Sequence, residues 1–250
     1  MLVAIHQPHY LPWLGYLSRM ACADLFVMLD HVQFERRNYQ NRTRVRVDNG
    51  ISCEPHWLTV PVEQHSREER ILDKRIDNRL EGPRHWSRIH FLTLRHAYRE
   101  APFLDAYLGK LGAIYAQRFE TLVELNAALL ELLRAAYGIR TPLVRSSTLS
   151  PQGTKSDLVL DLCRRVGATA LLVGLGGSRR YLDRAAFARA GIALVFQEFE
   201  HPQYRQCGGA PFKPAQFIPG LSALDLLFNC GPESRRLLDA AAPREERLAA

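Results

Sequence analysis

The sequence predicts an α/β fold: a mostly parallel sheet covered by helices in a Rossmann-like three-layer arrangement, with a central helical insert and a small β-hairpin region. Three observations carry that prediction. Two short apolar runs, MLVAI (1–5) and LFVMLD (25–30), flank a helix-length segment, the pattern of parallel strands buried on both faces. The alternation returns later in TALLVGLGG (169–177), YLDRAAFARAGI (181–192) and ALVFQEF (193–199). Between the two passages, residues from about 84 to 139 place apolar side chains at helical spacing.

Each element can be justified in order. MLVAI is a buried strand ended by Pro8. LPWLGYLSRMACA (11–23) is a helix starting near Pro12, a residue whose fixed φ suits a first turn. LFVMLD closes on the carboxylate of Asp30. TRVRV (43–47) and WLTVPV (57–62) alternate as a hairpin or flap, with a turn-like DNG at 48–50. HWSRIHFLTLRHAYRE (85–100) is helical. The stretch 103–139 is too long for one ordinary helix, so a break is expected near Gly109–Gly112 or around Arg118–Thr121, with Gly138 as the stop. PLVRSS (142–147) is a strand, and GTKSDLVLDLCRRVGA (153–168) a helix opened by Thr154 or Ser156 and closed by Gly167. A Pro- and Gly-rich loop covers 200–220. LSALDLLFNCG (221–231) is a last helix, where Ser222 and Asp225 read as capping residues. The domain is therefore expected to span 1–231, with 232–250 as a charged tail.

Composition narrows the function classes. No apolar run approaches the roughly 18–20 residues of a membrane span, and residues 1–16 do not read as a signal peptide. Five cysteines, odd in number and without CxxC spacing, argue against a disulfide framework and a cysteine zinc site, and fit a reducing cytoplasm. The net charge of +7 suits anionic partners. RRNYQNRTRVR holds five arginines between Arg36 and Arg46, either a solvated edge or a fork of guanidiniums for phosphate or carboxylate. Without an RNP signature, a zinc finger or a continuous basic helix, nucleic acid is not expected.

The chemistry gathers at IHQPHYLPWLGY (5–16). At the carboxyl end of a first parallel strand, His6 and His9 would border the crevice in which open α/β sheets bind ligands. A near-neutral imidazole there suits proton abstraction from an amine or hydroxyl. Nine histidines form no HExxH or HxH pattern, so no metal is expected, and no cofactor is implied. There is no GxSxG nucleophile. GLGGSRRY (174–181), ending in Tyr181, and GTKSD (153–157), carrying Lys155, are strand-to-helix turns compatible with phosphate. The His-containing first turn and the later Lys helix start also bear a loose likeness to nucleotidylyltransferases.

Six segments, in the right order and spanning most of residues 3–231, together resemble the WbqC-like family: IHQPHYLPWLGY, ADLFVMLDHVQF (23–34), QNRTRV (40–45), the Lys155 helix start, GGSRRYLD (176–183) and LSALDLLFNCG. The family pattern commonly has Asn where this chain has His9, which leaves His6 for chemistry and makes His9 a local hydrogen-bonder. The resemblance implies a transferase from polysaccharide (O-antigen) or secondary-metabolite biosynthesis. It would attach an acyl or aminoacyl group to an amine of a nucleotide-linked sugar or similar acceptor. Acyl-CoA or an acyl or aminoacyl carrier protein would be the donor. In that reading His6 is the base and Asp30 its orienter. Gln7, Gln33 and Asn41 offer amide groups to the substrates, Tyr10 and Trp13 stack on them, and Arg42, Lys155 and Tyr181 bind them. Two rivals stay open: a nucleotidylyl- or phosphoryl-type transferase using His6, Arg42 and Lys155, and a non-catalytic binding protein using the same crevice.

Overall fold

Strand β1 (Leu2–His6) is the pivot of the fold, because it is paired on both edges, in parallel, to β2 (Leu25–Met28) and to β6 (Ala170–Gly174). The computed structural model describes residues 1–48, 53–66, 68–174, 181–208, 216–241 and 246–247. Beyond β2 lies the short β5 (Leu143–Arg145), and beyond β6 lies β7 (Ala193–Gln197), all parallel. The backbone of β8 (Glu246–Arg247) adds an antiparallel edge to β7. The order is β5-β2-β1-β6-β7-β8. The α/β fold with a mostly parallel sheet is thus the one expected.

Alternation along the strands builds the three layers, since successive side chains of a strand point to opposite faces. Ala4, Phe26, Met28, Leu172 and Val195 enter one core, with Leu14, Leu17 and Met20 of α1 (Leu14–Cys22). Helices α2 (Trp86–Ala97), α3 (Leu104–Tyr115) and α4 (Leu122–Ala136) join the same core. Val3, Val27, Leu171, Val173, Leu194 and Phe196 enter the other core, against α5 (Lys155–Arg165) and Phe187 of α6 (Arg184–Arg189). Helix α7 (Ala223–Cys230) starts where Ser222 Oγ accepts from the Leu224 N–H at 3.3 Å, the capping role foreseen for Ser222.

Three outcomes refine the expected element list. The long helical stretch breaks at 116–121, the second of the two places expected, and Gly109 and Gly112 lie inside α3. The cause is tertiary. Residues 74–78 draw the chain out of the helix, with Ile76 N–H on Glu120 O at 3.0 Å, Leu122 N–H on Lys74 O at 2.9 Å and Asn78 Nδ2 on Phe119 O at 2.9 Å. The hairpin forms as β3 (Arg42–Asp48) against β4 (Cys53–Thr59), and its expected DNG turn falls partly outside the described residues. Of the stretch read as a tail, Ser234–Ala240 form α8, with Leu238 buried against the first core. Among the described residues no helix is long and apolar enough to cross a membrane.

The loop between β1 and α1 is pinned throughout. Tyr10 N–H donates to Tyr39 O, Thr43 Oγ1 to Leu11 O, and Ala223 N–H to Pro12 O, each within 2.9 Å. These bonds hold Leu11 at φ +44°, a left-handed conformation that is strained for leucine. The indole of Trp13 then lies across Gly15, where a Cβ would fall 2.8 Å from Trp13 Cζ2. Gly15→Ala is therefore expected to displace the indole and destabilise the protein by about 1–3 kcal/mol, as overpacking does. Urea unfolding followed by tryptophan fluorescence measures both effects, and an unchanged midpoint would show that the indole can move aside freely.

Candidate functional site

A cleft of about 280 Å³ opens at the carboxyl ends of β1 and β6. It sits at the point where the sheet order reverses: the chain leaves β1 on one side toward β2 and β5, and returns on the other to β6. Open α/β sheets bind ligands at that switch point. The register sets Ala4 opposite Leu172, which brings His6 level with Gly174. Ile5, Leu29, Val159 and Leu171 to Val173 make the apolar floor and walls. The polar lining is His6, Gln7, Arg19, Glu35, Asn38 and Tyr181.

His6 is half-buried, and its Nδ1 lies 3.0 Å from the Gln7 carbonyl. A carbonyl only accepts, so Nδ1 carries the proton and Nε2 is the basic nitrogen. Burial, and after it the positive charge of Arg19, push the pKa down from 6.5 to about 3. His6 is thus a neutral imidazole at any ordinary pH. Behind it, ring contacts run from His6 to His9 (4.7 Å), stack His9 on Tyr39 (5.5 Å) and continue to Trp57 (5.4 Å). His9 is also pressed well below its ordinary value, by burial first and then by His6 and Arg19. The hydrogen bond expected of His9 is not made through Nδ1, which is buried without a partner among the described residues, and the ring stacks on Tyr39. Tyr16, 5.2 Å away, also buries its hydroxyl without a partner among the described residues.

Of the residues expected to act on substrate, His6, Gln7 and Tyr181 line the cleft, and the others do not. Asp30 does not orient His6, because its carboxylate is taken by the start of the segment after β5. Its Oδ1 accepts from Ser146 Oγ (3.0 Å) and the Ser147 N–H (2.9 Å), and its Oδ2 accepts from Ser147 Oγ (2.8 Å). Tyr10 is fully buried, bonded to His90 Nδ1 at 2.8 Å and to the Tyr115 hydroxyl, so it is core. Trp13 packs edge-on to Phe199 at 5.4 Å. Asn41 donates to Val60 O at 2.9 Å and fastens the hairpin. Gln33 pairs with Arg70 on the surface. Arg42 lies 4.1 Å over the Trp57 ring and donates to Arg37 O. Lys155 is exposed at the start of α5. The Gly-rich turn expected to cradle phosphate lies, at 175–180, outside the described residues.

The structure adds site residues that no motif announces. Gln7 Oε1 accepts from Gln40 Nε2 at 2.9 Å, and Gln40 Oε1 accepts from the Glu35 N–H at 3.0 Å, so the fully buried Gln40 ties the β1 loop to the segment carrying Glu35 and Asn38. Asn38 Nδ2 holds Glu35 Oε2 at 2.8 Å. Arg19 enters from α1. Its one sequence signal is a lone charge in LGYLSRMAC, whose neighbours are otherwise buried. Among the described residues no group of three or more His, Cys, Asp or Glu side chains is gathered to hold a metal ion.

With the geometry in view, comparison with known proteins decides kinship. The model of the WbqC-like protein family matches residues 7–237. The chain belongs to the WbqC-like protein family. The "Uncharacterized protein Rv1507c" of Mycobacterium tuberculosis (strain ATCC 25618 / H37Rv) is 31% identical over 235 residues, covering 93% of this chain and 95% of that one. No solved structure matches. The family match begins at Gln7, immediately after the strand that presents His6, and includes every described polar residue of the cleft apart from His6.

Two measurements check this description of the WbqC-like cleft. His6, His9 and His90, the last lowered by burial to about 4, bind protons near 6.5 only when unfolded. The unfolded chain then binds more protons below pH 6.5, so stability is full above that value and is lost as the pH falls toward about 4. The urea midpoint should drop between about pH 7 and about pH 5; a flat midpoint would contradict neutral burial of these rings. Separately, a buried unpartnered hydroxyl costs about 1–3 kcal/mol. Tyr16→Phe is thus expected to match or exceed the wild-type melting temperature, and a clear loss of stability would reveal a partner for the hydroxyl.

Proposed function

We propose that this WbqC-like protein is a cytoplasmic transferase that forms an amide, moving an acyl or aminoacyl group onto an amine of a nucleotide-linked sugar or similar acceptor. Polysaccharide or secondary-metabolite biosynthesis is its setting. The observation that supports this reading is His6: a neutral imidazole at the end of β1, lining the cleft, with Nδ1–H committed to the Gln7 carbonyl and Nε2 left as the base. The acceptor nitrogen attacks the carbonyl carbon of a thioester or ester donor, and the C–N bond forms. As it does so, the N–H becomes acidic, which lets a weak base such as His6 take the proton. The tetrahedral intermediate then expels the thiolate or alkoxide, breaking the C–S or C–O bond, and His6 returns the proton to the leaving group. Gln7, Asn38 and Tyr181 supply hydrogen-bonding groups around the reacting centre, and the apolar walls limit competing water.

The phosphoryl or nucleotidylyl alternative leans on Arg42 and Lys155. Arg42 stacks on Trp57, Lys155 is exposed on α5, and neither lines the cleft. The acyl-transfer reading gives up the same two residues as substrate contacts but keeps its base, His6, in the cleft.

The test begins with thermal-shift screening of the full chain against nucleotide sugars, acyl-CoAs and aminoacyl carrier proteins. Pairs that stabilise the protein are then assayed for amide product by mass spectrometry. His6→Gln is expected to lower kcat by about 10²–10⁴-fold with substrate binding kept, the usual worth of a general base. Full activity in His6→Gln would end the base assignment, and stabilisation without turnover by any pair would favour the binding-protein reading.

A further inference from the structure

Arg19 is a cation inside the cleft with the four N–H donors of Nη1 and Nη2 idle among the described residues. Nε donates to Gln197 Oε1 at 3.0 Å, and Gln197, buried at the end of β7, is fixed in turn by Nε2 on Ser18 Oγ at 3.1 Å. Gly174 makes room for the guanidinium: a Cβ there would fall 2.8 Å from Arg19 Cζ. Among the described residues, Nη1 and Nη2 have no hydrogen-bond partner and no carboxylate forms an ion pair with Arg19. Glu35, the one carboxylate among the described lining residues, is engaged by Asn38 instead. The neighbouring imidazoles, His6 and His9, are kept neutral and offer no charge either. A half-buried guanidinium with no counter-charge among the described residues is a ready partner for an anion.

We propose that Arg19 anchors an oxyanion, carboxylate or phosphate, of a small molecule bound in the cleft, through the free Nη1–Nη2 edge. That edge matches either group in a bidentate fork. The cleft, at about 280 Å³, lies just under the range of about 300–1,000 Å³ usual for small-molecule sites. It therefore holds one charged moiety and its attached sugar- or amino-acid-sized group, while any nucleotide or carrier arm extends outside. The anion would also neutralise the charge of Arg19, which after burial is the second cause of the low basicity of His6, so the substrate would help to activate its own base. The inference uses the cleft of the proposed transferase, but the anion site stands whether or not transfer occurs there.

Calorimetry and thermal shift on the full chain, with inorganic phosphate and with acetate at matched ionic strength, test it. Wild type is expected to bind at least one of them saturably. Phosphate alone would assign a phosphate-bearing ligand, acetate alone a carboxylate-bearing one. Arg19→Gln should weaken binding at least tenfold, Arg19→Lys should retain part of it, and Arg88→Gln, an equal loss of charge on the exposed face of α2, should leave it intact. Should Arg19→Gln fail to fold, Gly174→Ala, whose new methyl meets the flexible guanidinium, is expected to weaken binding in the same way. Failure of wild type to bind either anion would overturn the proposal, as would binding that survives the loss of Arg19 in a folded variant. Anion binding retained by a protein with no transfer activity would sink the proposed function and leave the site standing.

Discussion

Strand β1 is hydrogen-bonded to a neighbour on each edge, and the position of the cleft follows from that double pairing. Pairing to β2 commits α1 to one face of the sheet; pairing to β6 brings the far end of the domain against the same strand. The two connections diverge at the end of β1, so the space above His6 is left open between them. Every lining residue depends on this arrangement, including those more than a hundred residues apart in the chain.

Around that opening, the protein gives polar groups to two different tasks. Most of the buried ones close the fold: Asp30 fastens the segment after β5, Asn41 the hairpin, and Asn126 bonds to Gln40 O at 2.8 Å. Asp225 is bonded by Tyr204 at 2.6 Å and Gln206 at 2.8 Å, far from any cleft residue in sequence. A second group, near the cleft, is left incomplete among the described residues: the Nη edge of Arg19, the Nδ1 of His9 and the hydroxyl of Tyr16, while single atoms such as Asn126 Oδ1 and Asp225 Oδ1 lack partners elsewhere. Buried polar groups are nearly always satisfied, so each unsatisfied atom near the cleft is a place where a ligand or an ordered water can bind. His6 lies between the two groups, with one nitrogen fixed by the backbone and the other available.

The electrostatics are correspondingly one-sided. Burial keeps His6 and His9 neutral, and Arg19 reinforces that state at both. Among the described lining residues Arg19 is the one cation, next to neutral imidazoles, and the Glu35 carboxylate is hydrogen-bonded by Asn38. Such a site favours entry of an anionic ligand and couples its arrival to the proton affinity of His6.

Much of the fold was legible in the chain because periodicity is local. Runs such as LVAI and LFVM are buried on both faces wherever they pair, and Pro12, Gly138 and Ser222 mark boundaries through their own backbone or side-chain chemistry. That reasoning reached His6 and Gln7, which follow directly from the end of the first strand, and it reached Tyr181. It misassigned Asp30, Tyr10 and Trp13, since a carboxylate or an aromatic ring near a strand end reads alike whether it faces a ligand or a neighbouring segment. Glu35, Asn38 and Gln40 had no pattern to betray them, and Arg19 only its lone charge on an otherwise apolar helix, because their convergence depends on strand order and on the hydrogen bonds between the β1 loop and residues 35–41. By itself the sequence determined the layers and the strand end that bears His6. Tertiary structure alone decided which side chains share the cleft and which charge is left without a partner, because side-chain periodicity is set within a few residues and the meeting of distant segments is set by the sheet.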